Sequence, residues 1–508
     1  MKLLKRLPGK GKIDQIKMGA LLSYFAMAVS IVTGLIYTPW MVRIIGQSNY
    51  GLYTLSNSLI AIFMLDFGLG SAVSRFVSKY RAEGDQEAVN RIISIIFKLY
   101  FAIDALIICV LTGIFFFLDK IYVKLTPAEL DTFRILYLMV ACSNVISFPL
   151  SPLNGILNAY EKFIQLKICD VFHKLFTVAL VVLALCFSTH VTTVVAANVI
   201  SAITTLVIKL IIVKKKIPLR LNFKLGDRGT YKILFNFTVW TTIISVMQRF
   251  THSFAPSVLG ITCSSTEIAL YSPAVALEGY FYTLATAVNG LFLPRISRYI
   301  ADKEENKILD LMTKMGRYQI TVLGLVFVGF ICVGQDFMTL WMGPEYGKSY
   351  YCTLIILLPT LISCSQQIAS TTVIAKNLIR YQAVFMIFSG VFGLAVSYAL
   401  SLFIGAIGVC VGTAVTSLMN IIYMSGIYRK KAGINMPSFY KKCWLKAIPC
   451  YLCVAAVGLV VTPLITITGW LGLLIKVALV AVLYLSVMYF LYFSKADRKA
   501  LLKRIMHS

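Results

Sequence analysis

The feature that most constrains this chain is a series of apolar stretches, each long enough to cross a bilayer as a helix. About 20 apolar residues span the hydrocarbon core, and runs of this kind recur about fourteen times between residues 18 and 493. A segment in lipid must pair its backbone N–H and C=O groups internally, as a helix does. The composition agrees, since 59% of the 508 residues are hydrophobic, 14% are charged and the mean hydropathy is +0.82. We predict an all-α polytopic membrane protein.

The predicted spans end at charged residues or at clusters of Gly, Asn and Pro. They lie at 18–42, 51–74, 92–118, 132–157, 163–187, 191–213, 232–259, 267–293, 310–335, 350–375, 381–403, 406–428, 444–466 and 470–493. Six basic residues precede the first span, as in a signal peptide, but the run continues past Pro39 without a small-residue cleavage pattern. We therefore expect a retained first helix.

The distribution of basic residues predicts the orientation of the chain. A net charge of +27 also occurs in proteins that bind nucleic acid. If the N-terminus is cytoplasmic, however, 37 of the 48 Lys and Arg residues fall in inside loops and tails, and only Arg43, Lys120, Lys124 and Lys348 fall outside. This asymmetry follows the positive-inside rule. We expect cytoplasmic N- and C-termini and no nucleic-acid partner.

Short motifs recur along the chain at an almost constant spacing of 217 to 219 residues. The matched pairs are Tyr37-Thr38-Pro39 with Phe254-Ala255-Pro256, Gly51-Leu52-Tyr53 with Ala269-Leu270-Tyr271, Ser78-Lys79-Tyr80 with Ser297-Arg298-Tyr299, Asp119 with Asp336, Pro127 with Pro344, and Lys162-Phe163 with Arg380-Tyr381. A single match carries no information, but a constant offset over about 125 residues indicates an internal duplication.

The repeat predicts the domain organisation. Six crossings per copy is an even number, so both copies start on the same side of the membrane. We predict two parallel six-helix bundles, residues 1–220 and 221–432, related by a pseudo-two-fold axis along the membrane normal. Residues 433–508 add a C-terminal helix pair, helices 13 and 14, and a basic cytoplasmic tail. Two bundles that rock about a central cavity are typical of a transporter, whereas a channel more often surrounds a narrow pore.

Ionisable residues inside the spans are the candidates for lining that cavity, because lipid does not tolerate them. The acidic candidates are Asp66, Asp104, Asp170 and Glu278, and the basic ones are Lys98, Lys174 and Arg249, with His173 and His252 beside them. Helical spacing places several of them on shared faces. These faces are Asp170-His173-Lys174-Thr177, Thr242-Ser245-Arg249-His252 and Glu278-Tyr282-Thr286-Asn289. We expect all three faces to point inward.

Snorkelling to a membrane interface is an alternative for some of the basic residues. It is favoured over a cavity role for Arg75, Arg134 and Lys209, and it explains Lys98 equally well, since Lys98 lies about two turns from the end of its span. The same alternative of an inert position applies to Lys476 in the last span.

Local pairing is the alternative for a second subset. Asp170 and Lys174 are spaced to form a neutralised i, i+4 pair that only joins helices. Arg249, Asp66 and Glu278 lie deep in their spans with no opposite charge three or four residues away. A cavity position is therefore the favoured interpretation for these three.

The sequence predicts neither a metal site, nor a cofactor, nor catalysis. Cys450 and Cys453 form a C-x-x-C, but no second C-x-x-C or histidine cluster completes a zinc site. A nucleotide-binding loop is absent, and no cytoplasmic segment is long enough for an ATPase domain. No large outside loop offers an extracytoplasmic catalytic surface. We expect a transporter that is driven by a gradient or runs downhill.

Three motifs in the first 90 residues carry a family resemblance. They are Arg43-Ile-Ile-Gly-Gln-Ser-Asn-Tyr-Gly-Leu-Tyr, Asp66-Phe-Gly-Leu-Gly-Ser-Ala-Val-Ser-Arg75-Phe and Tyr80-Arg-Ala-Glu-Gly-Asp85. The chain resembles the bacterial polysaccharide transporter branch of the multidrug/oligosaccharidyl-lipid/polysaccharide exporter superfamily. The resemblance implies an inward-open, V-shaped cavity with a cationic lining in the bacterial cytoplasmic membrane. It also implies flipping of an undecaprenyl-diphosphate-linked oligosaccharide for O-antigen, capsule or exopolysaccharide.

Physical reasoning assigns expected roles within that implied function. A diphosphate needs matched charge in low dielectric, so we expect Arg249, Lys98 and Lys174 to meet it, with His252 and His173 in the same cavity. Buried carboxylates can take up and release a proton, so Asp66, Asp104, Glu278 and Asp170 are the candidates for ion coupling. The expected partners are the lipid-linked oligosaccharide, the bilayer, and a polysaccharide polymerase or ligase.

Other substrate classes remain open from the sequence. A multidrug or metabolite cation antiporter of the same superfamily would share the helix count and the buried carboxylates, although the deep arginine and lysines favour an anionic substrate. A lipid-linked peptidoglycan precursor is an alternative cargo. A non-transporting scaffold would leave the buried charges with a structural role only.

Overall fold

The computed structural model describes residues 10–64, 69–219, 253–286, 292–302 and 306–493, with a few isolated positions besides, and most side chains from residue 25 onward. Every regular element among these residues is helical. The described residues up to Ala269 form one compact unit, and those from Leu270 form a second. The predicted boundaries at residues 220 and 432 stay predictions.

The helices of the first unit are numbered in chain order. They are α1 (Lys10–Ile45), α2 (Gln47–Phe63), α3 (Leu69–Glu83), α4 (Gln86–Ile121), α5 (Pro127–Ser147), α6 (Pro152–Ala159), α7 (Phe163–Phe187), α8 (Val191–Lys216) and α9 (Ala255–Thr262). Helix α10 (Ser265–Thr286) starts in this unit and continues into the second.

The second unit contains the remaining helices. They are α11 (Leu293–Ala301), α12 (Asn306–Trp341), α13 (Gly347–Ser365), α14 (Gln367–Ala375), α15 (Ile379–Lys430), α16 (Met436–Val461) and α17 (Gly469–Val487). Ten helical segments in the described part of the chain are long and apolar enough to cross a membrane. The all-helical, multi-pass architecture is confirmed, while the total of about fourteen crossings stays a prediction.

Polar side chains define where several helices begin. Asp85 caps α4 by accepting a hydrogen bond from the backbone N–H of Ala88 at 2.8 Å. At the start of α5, the Thr126 hydroxyl accepts from the Glu129 N–H, and the Glu129 carboxylate accepts from the Thr126 N–H at 2.9 Å. Each cap satisfies an N–H that the first turn of a helix leaves unpaired.

The start of α10 is held against the first unit by a hydroxyl–carboxylate cluster. The second oxygen of Glu129 accepts hydrogen bonds from the hydroxyls of Ser48, at 2.6 Å, and Ser265, and the two hydroxyls lie 3.0 Å apart. Gly51 on α2 completes the contact, because a Cβ there would overlap the Ser265 carbonyl oxygen. Ser48 and Ser265 are 217 residues apart, which is the repeat spacing.

In the second unit, the C-terminal helices α16 and α17 pack along α12. The Tyr451 hydroxyl donates to the Ile320 carbonyl at 2.6 Å, and the Tyr484 hydroxyl donates to the Thr321 carbonyl at 2.9 Å. Gly324 leaves room for both hydroxyls, since a Cβ there would lie 2.5 Å from that of Tyr484. The helix pair predicted from residue 433 is therefore part of the core of this unit.

Helix α15 contains two predicted spans, because it reverses direction locally at Ile404 and Gly405. Gly405 has a φ of 57°, which glycine adopts without the steric cost that a Cβ imposes. The two arms approach closely at small residues. A Cβ on Gly412 would lie 2.7 Å from the Ser397 nitrogen, and one on Gly393 would lie 2.9 Å from the Thr416 Cβ.

Helix bounds recur at the spacing found in the sequence. Helices α4 and α12 both have 36 residues, and α2 and α10 begin 218 residues apart, at Gln47 and Ser265. Among the described residues, the two non-glycine residues with positive φ are Glu161 and Asn377, both at 56°, each just before a long helix. The duplication is thus visible in local structure, while the axis that relates the two bundles stays a prediction.

Candidate functional site

A polar cavity of about 920 Å³ lies in the first unit, between α3 on one side and α5 and α6 on the other. Its size falls in the range of ligand pockets in proteins, about 300–1,000 Å³. The polar residues that line it are Ser74, Arg75 and Ser78 on α3, and Asn144, Ser147, Ser151, Asn154 and Asn158 on the other wall. Such a set inside a helical membrane unit needs a physical reason, since polar groups are costly in lipid.

The wall from α5 to α6 is one continuous stripe. Its polar residues follow one another at steps of three and four positions, from Asn144 to Asn158, so they share a helix face. The helix is interrupted between them by a 3₁₀ turn, Phe148–Leu150. Pro149 and Pro152 lack the N–H that a continuous helix needs, which explains the interruption.

The α3 wall is bonded directly to α6. The Ser74 hydroxyl donates to the Gly155 carbonyl at 3.2 Å, and Nη1 of Arg81 donates to the Ala159 carbonyl at 3.0 Å. Gly155 permits the close approach, because a Cβ there would lie 2.7 Å from the carbonyl oxygen of Gly70. These bonds satisfy carbonyls at the end of α6 and hold the cavity walls at a fixed separation.

A buried lysine supports the α6 wall from behind. The Lys209 ammonium on α8 lies 3.3 Å from Oδ1 of Asp170 and donates to Oδ1 of Asn154 at 3.1 Å. Lys167 contacts the other oxygen of Asp170 at 3.4 Å. The prediction of an Asp170–Lys174 pair is therefore wrong, because the carboxylate is taken by lysines one turn earlier and on the neighbouring helix. Snorkelling is likewise the wrong explanation for Lys209, whose side chain is 14% exposed.

The internal repeat provides a control for the polarity of this wall. The residues 217 positions after Asn144 and Ser147 are Leu361 and Cys364, at corresponding places on α13. Both are buried in the apolar core of the second unit. The fold of the repeat therefore does not require polar residues at these positions. The amide and hydroxyl groups of the first unit are best explained by a ligand.

The predicted basic residues in the described part of the chain lie elsewhere in the first unit. Lys98 on α4 and Lys174 on α7 are half-buried, and neither is among the residues that line this cavity. The His173 ring joins α7 to α8, since its Nδ1 lies 3.1 Å from the Ser201 hydroxyl and 3.2 Å from the Thr205 hydroxyl. The inward-facing stripe predicted on α7 thus faces α8 in part.

Two predicted carboxylates are buried in the described residues. Asp104 on α4 is 6% exposed, and its Oδ1 has no hydrogen-bond partner in the described part of the chain. Glu278 on α10 is 9% exposed and accepts a hydrogen bond from the Thr360 hydroxyl on α13 at 2.9 Å. An unpaired carboxylate oxygen in an apolar setting favours the protonated form.

Three predicted site residues, Asp66, Arg249 and His252, lie outside the described residues. Their places in a cavity stay predictions. Among the described residues, no group of three or more His, Cys, Asp or Glu side chains could hold a metal ion.

Sequence reasoning missed the polar stripe and the role of Lys209. The signal for the stripe was present, because Asn144, Ser147, Ser151 and Asn154 already follow a helical period. It was passed over because the search was restricted to ionisable residues. The contact between Lys209 and Asp170 joins positions 39 residues apart and has no local signal.

Comparison with known proteins assigns the family. The family model described as "Polysaccharide biosynthesis protein" matches residues 19–299, more than half of the chain. The Bacillus subtilis (strain 168) protein named "Uncharacterized membrane protein EpsK" is 22% identical over 493 residues, which cover 94% of this chain and 96% of that protein. The "Probable low-salt glycan biosynthesis flippase Agl15" of Haloferax volcanii is 20% identical over 189 residues, 37% of this chain and 40% of that protein.

Two solved structures share the fold. "Lipid II flippase MurJ, inward closed conformation" aligns with a TM-score of 0.69 at 15% identity, over 93% of this chain and 98% of that one. An inward-facing multidrug resistance MATE family transporter of the MOP superfamily aligns with a TM-score of 0.66 at 12% identity, over 85% and 99%. The predicted superfamily and the prediction of a transporter rather than an enzyme are confirmed. The chain belongs to the polysaccharide biosynthesis protein family of multi-pass membrane transporters.

Proposed function

We propose that this chain is a flippase that moves an undecaprenyl-diphosphate-linked oligosaccharide across the bacterial cytoplasmic membrane by alternating access. The observation that carries the proposal is the polar cavity, whose counterpart in the second repeat is apolar. Amide and hydroxyl groups complement the hydroxyl groups of sugars, and a cavity of about 920 Å³ has room for a short oligosaccharide. The basic inside loops orient both termini toward the cytoplasm.

Basic side chains would carry the diphosphate. Arg75 lines the polar cavity and can offer a planar guanidinium to phosphate oxygens. Arg249, Lys98 and Lys174, with His252 and His173, remain the proposed cationic set for the other parts of the path. The polyprenyl tail would stay in lipid, since its transfer out of hydrocarbon would cost about 0.8 kcal/mol for each CH₂.

Buried carboxylates would couple transport to an ion gradient. Asp104 and Glu278 have the low exposure that makes their charge costly, so protonation and opening of the path can be linked. Asp66 belongs to the same proposed set. Asp170 contacts two lysines, and we assign it to the support of the cavity wall instead.

Two alternatives share this fold and predict different cargo. A cation antiporter should line its cavity with acidic or aromatic groups, whereas the described lining contains one arginine and no carboxylate. A peptidoglycan-precursor flippase would carry a lipid-linked cargo of the same chemical class. A polysaccharide polymerase or ligase is the proposed protein partner, because it would use the flipped product.

The repeat itself suggests the test of this proposal. The variant Asn144→Leu/Ser147→Cys/Ser151→Ile gives α5 and α6 the residues found 217 positions later in the chain. Loss of about three hydrogen-bonding groups at 0.5–1.5 kcal/mol each should lower transport at least about tenfold. The assay is restoration of surface polysaccharide in a strain that lacks the transporter, with protein level in the membrane measured in parallel.

Asn57→Leu is the matched control, because Asn57 is exposed on α2 and its amide bonds only to its own helix. It should restore polysaccharide fully. Full restoration by the triple variant would remove the cavity from the account.

A further inference from the structure

The Asn154 amide is held in one orientation by charged residues behind the cavity wall. Its Oδ1 accepts a hydrogen bond from Lys209 at 3.1 Å, which leaves the NH₂ group on the side of the cavity that Asn154 lines. No second partner of this amide occurs in the described part of the chain. A free amide can rotate to present either its oxygen or its nitrogen, but this one is restricted to presenting a donor.

The ion pair behind the amide explains why the lysine stays in place. Lys209 is 14% exposed, and an ammonium with so little access to water needs a counter-charge. Asp170 supplies it at 3.3 Å, and Lys167 on the same helix contacts the second carboxylate oxygen. The chain of contacts therefore runs from α7 through α8 to the α6 wall, and each member has a defined partner.

The second repeat lacks every charged member of this chain of contacts. Helices α7 and α15 begin 216 residues apart, and the residues 216 positions after Asp170 and Lys209 are Met386 and Ser425. A repeat of this fold therefore packs these helices without the ion pair. The pair belongs with the polar cavity, which is also found in the first repeat alone.

We propose that Lys209, paired with Asp170, is a positioning residue that fixes the Asn154 amide as a hydrogen-bond donor to the oligosaccharide. This inference rests on the proposed function and adds a specificity to it. The cavity would select sugar groups that accept a hydrogen bond at this point, such as the carbonyl of an acetamido group, a carboxylate or a hydroxyl oxygen.

The test measures transport of lipid-linked oligosaccharide, extracted from a strain that lacks the transporter, in proteoliposomes that contain the full-length protein. Lys209→Met and Asn154→Ala should each raise the KM about two- to tenfold at similar kcat, because one oriented hydrogen bond is lost. The double variant should be no worse than either single variant, because both remove the same interaction. Asn154→Asp keeps the size but removes the donor, and it should also raise the KM.

A matched control separates positioning from folding. Lys476 in the second unit has the same side-chain exposure of 14% and pairs with Asp336 at 2.7 Å, so Lys476→Met should leave the KM unchanged. Lys209→Arg keeps a donor and should retain most of the wild-type KM. If Lys209→Met lowered only the melting temperature and kcat, or if the two single effects multiplied, the positioning role would be wrong. If the wild-type protein moved no lipid-linked oligosaccharide, the proposed function itself would fail.

Discussion

Gly51→Ala tests the close contact between α2 and the start of α10. A Cβ at Gly51 would overlap the Ser265 carbonyl oxygen and lie 2.7 Å from its carbonyl carbon, whereas ordinary contacts begin at 3.4 Å. The obstacle is backbone, so no rotation of a side chain relieves it. The Ser265 peptide would have to move by roughly 1 Å.

The expected cost follows from the bonds that this movement would break. Overpacking costs about 1–3 kcal/mol, and disruption of the Ser265–Glu129–Ser48 cluster adds about 1–3 kcal/mol. The higher helix propensity of Ala returns about 0.5–1 kcal/mol. The net destabilisation is about 2–4 kcal/mol, which corresponds to a fall in melting temperature of about 5–15 °C for a unit of this size.

The assay compares Gly51→Ala with Gly113→Ala in purified protein by thermal unfolding at one heating rate. Gly113 is also in a helix, α4, but a Cβ there meets nothing within 4 Å among the described residues. That control should unfold at the wild-type temperature or slightly above it. Equal melting temperatures for the two variants would refute the close contact and, with it, the attachment of α10 to the first unit.

Three further predictions follow from individual contacts. Glu278→Gln should abolish gradient-driven transport in proteoliposomes but keep substrate binding, and unchanged coupling would exclude this carboxylate. Tyr451→Phe removes a buried hydrogen bond to the Ile320 carbonyl and should lower the melting temperature by about 2–4 °C, whereas no change would mean that the bond is not formed. Gly405→Ala places a side chain at a φ of 57° and should destabilise the protein by about 1 kcal/mol relative to Gly426→Ala, measured by thermal unfolding.

The helices were predictable because their causes are local. Apolar length locates the spans, and Asp85 and Thr126 start α4 and α5 through bonds to residues three positions later. The repeat was also readable, since a duplication keeps motif spacing constant. The offset of Glu161 and Asn377 shows that even unusual backbone conformations kept this spacing.

The association of elements was less predictable because it depends on contacts between distant residues. The first compact unit extends to Ala269, and the Ser48–Ser265 bond that supports this joins positions 217 residues apart. The C-terminal helices looked like an addition outside the repeat, yet Tyr451 and Tyr484 bond to α12 inside the core. Neither contact has a signature in a single sequence.

The candidate site shows the same division. Charge directed attention to Asp104 and Glu278, which are buried as expected. The cavity is lined mainly by neutral amides and hydroxyls, which sequence reasoning treats as ordinary helix residues. Comparison of Asn144 with its apolar counterpart Leu361 is what distinguishes them, and it requires both the repeat and the cavity.

The most direct test of the central claim is leaflet-resolved accessibility of a lipid-linked oligosaccharide in proteoliposomes. The substrate is loaded on one side, and an enzyme that cleaves glycans is added on the other. We predict time-dependent cleavage with the wild-type protein and at least about tenfold slower cleavage with Asn144→Leu/Ser147→Cys/Ser151→Ile. No cleavage above that of empty liposomes, in vesicles whose protein expels a cationic dye, would contradict a flippase and identify a cation antiporter instead.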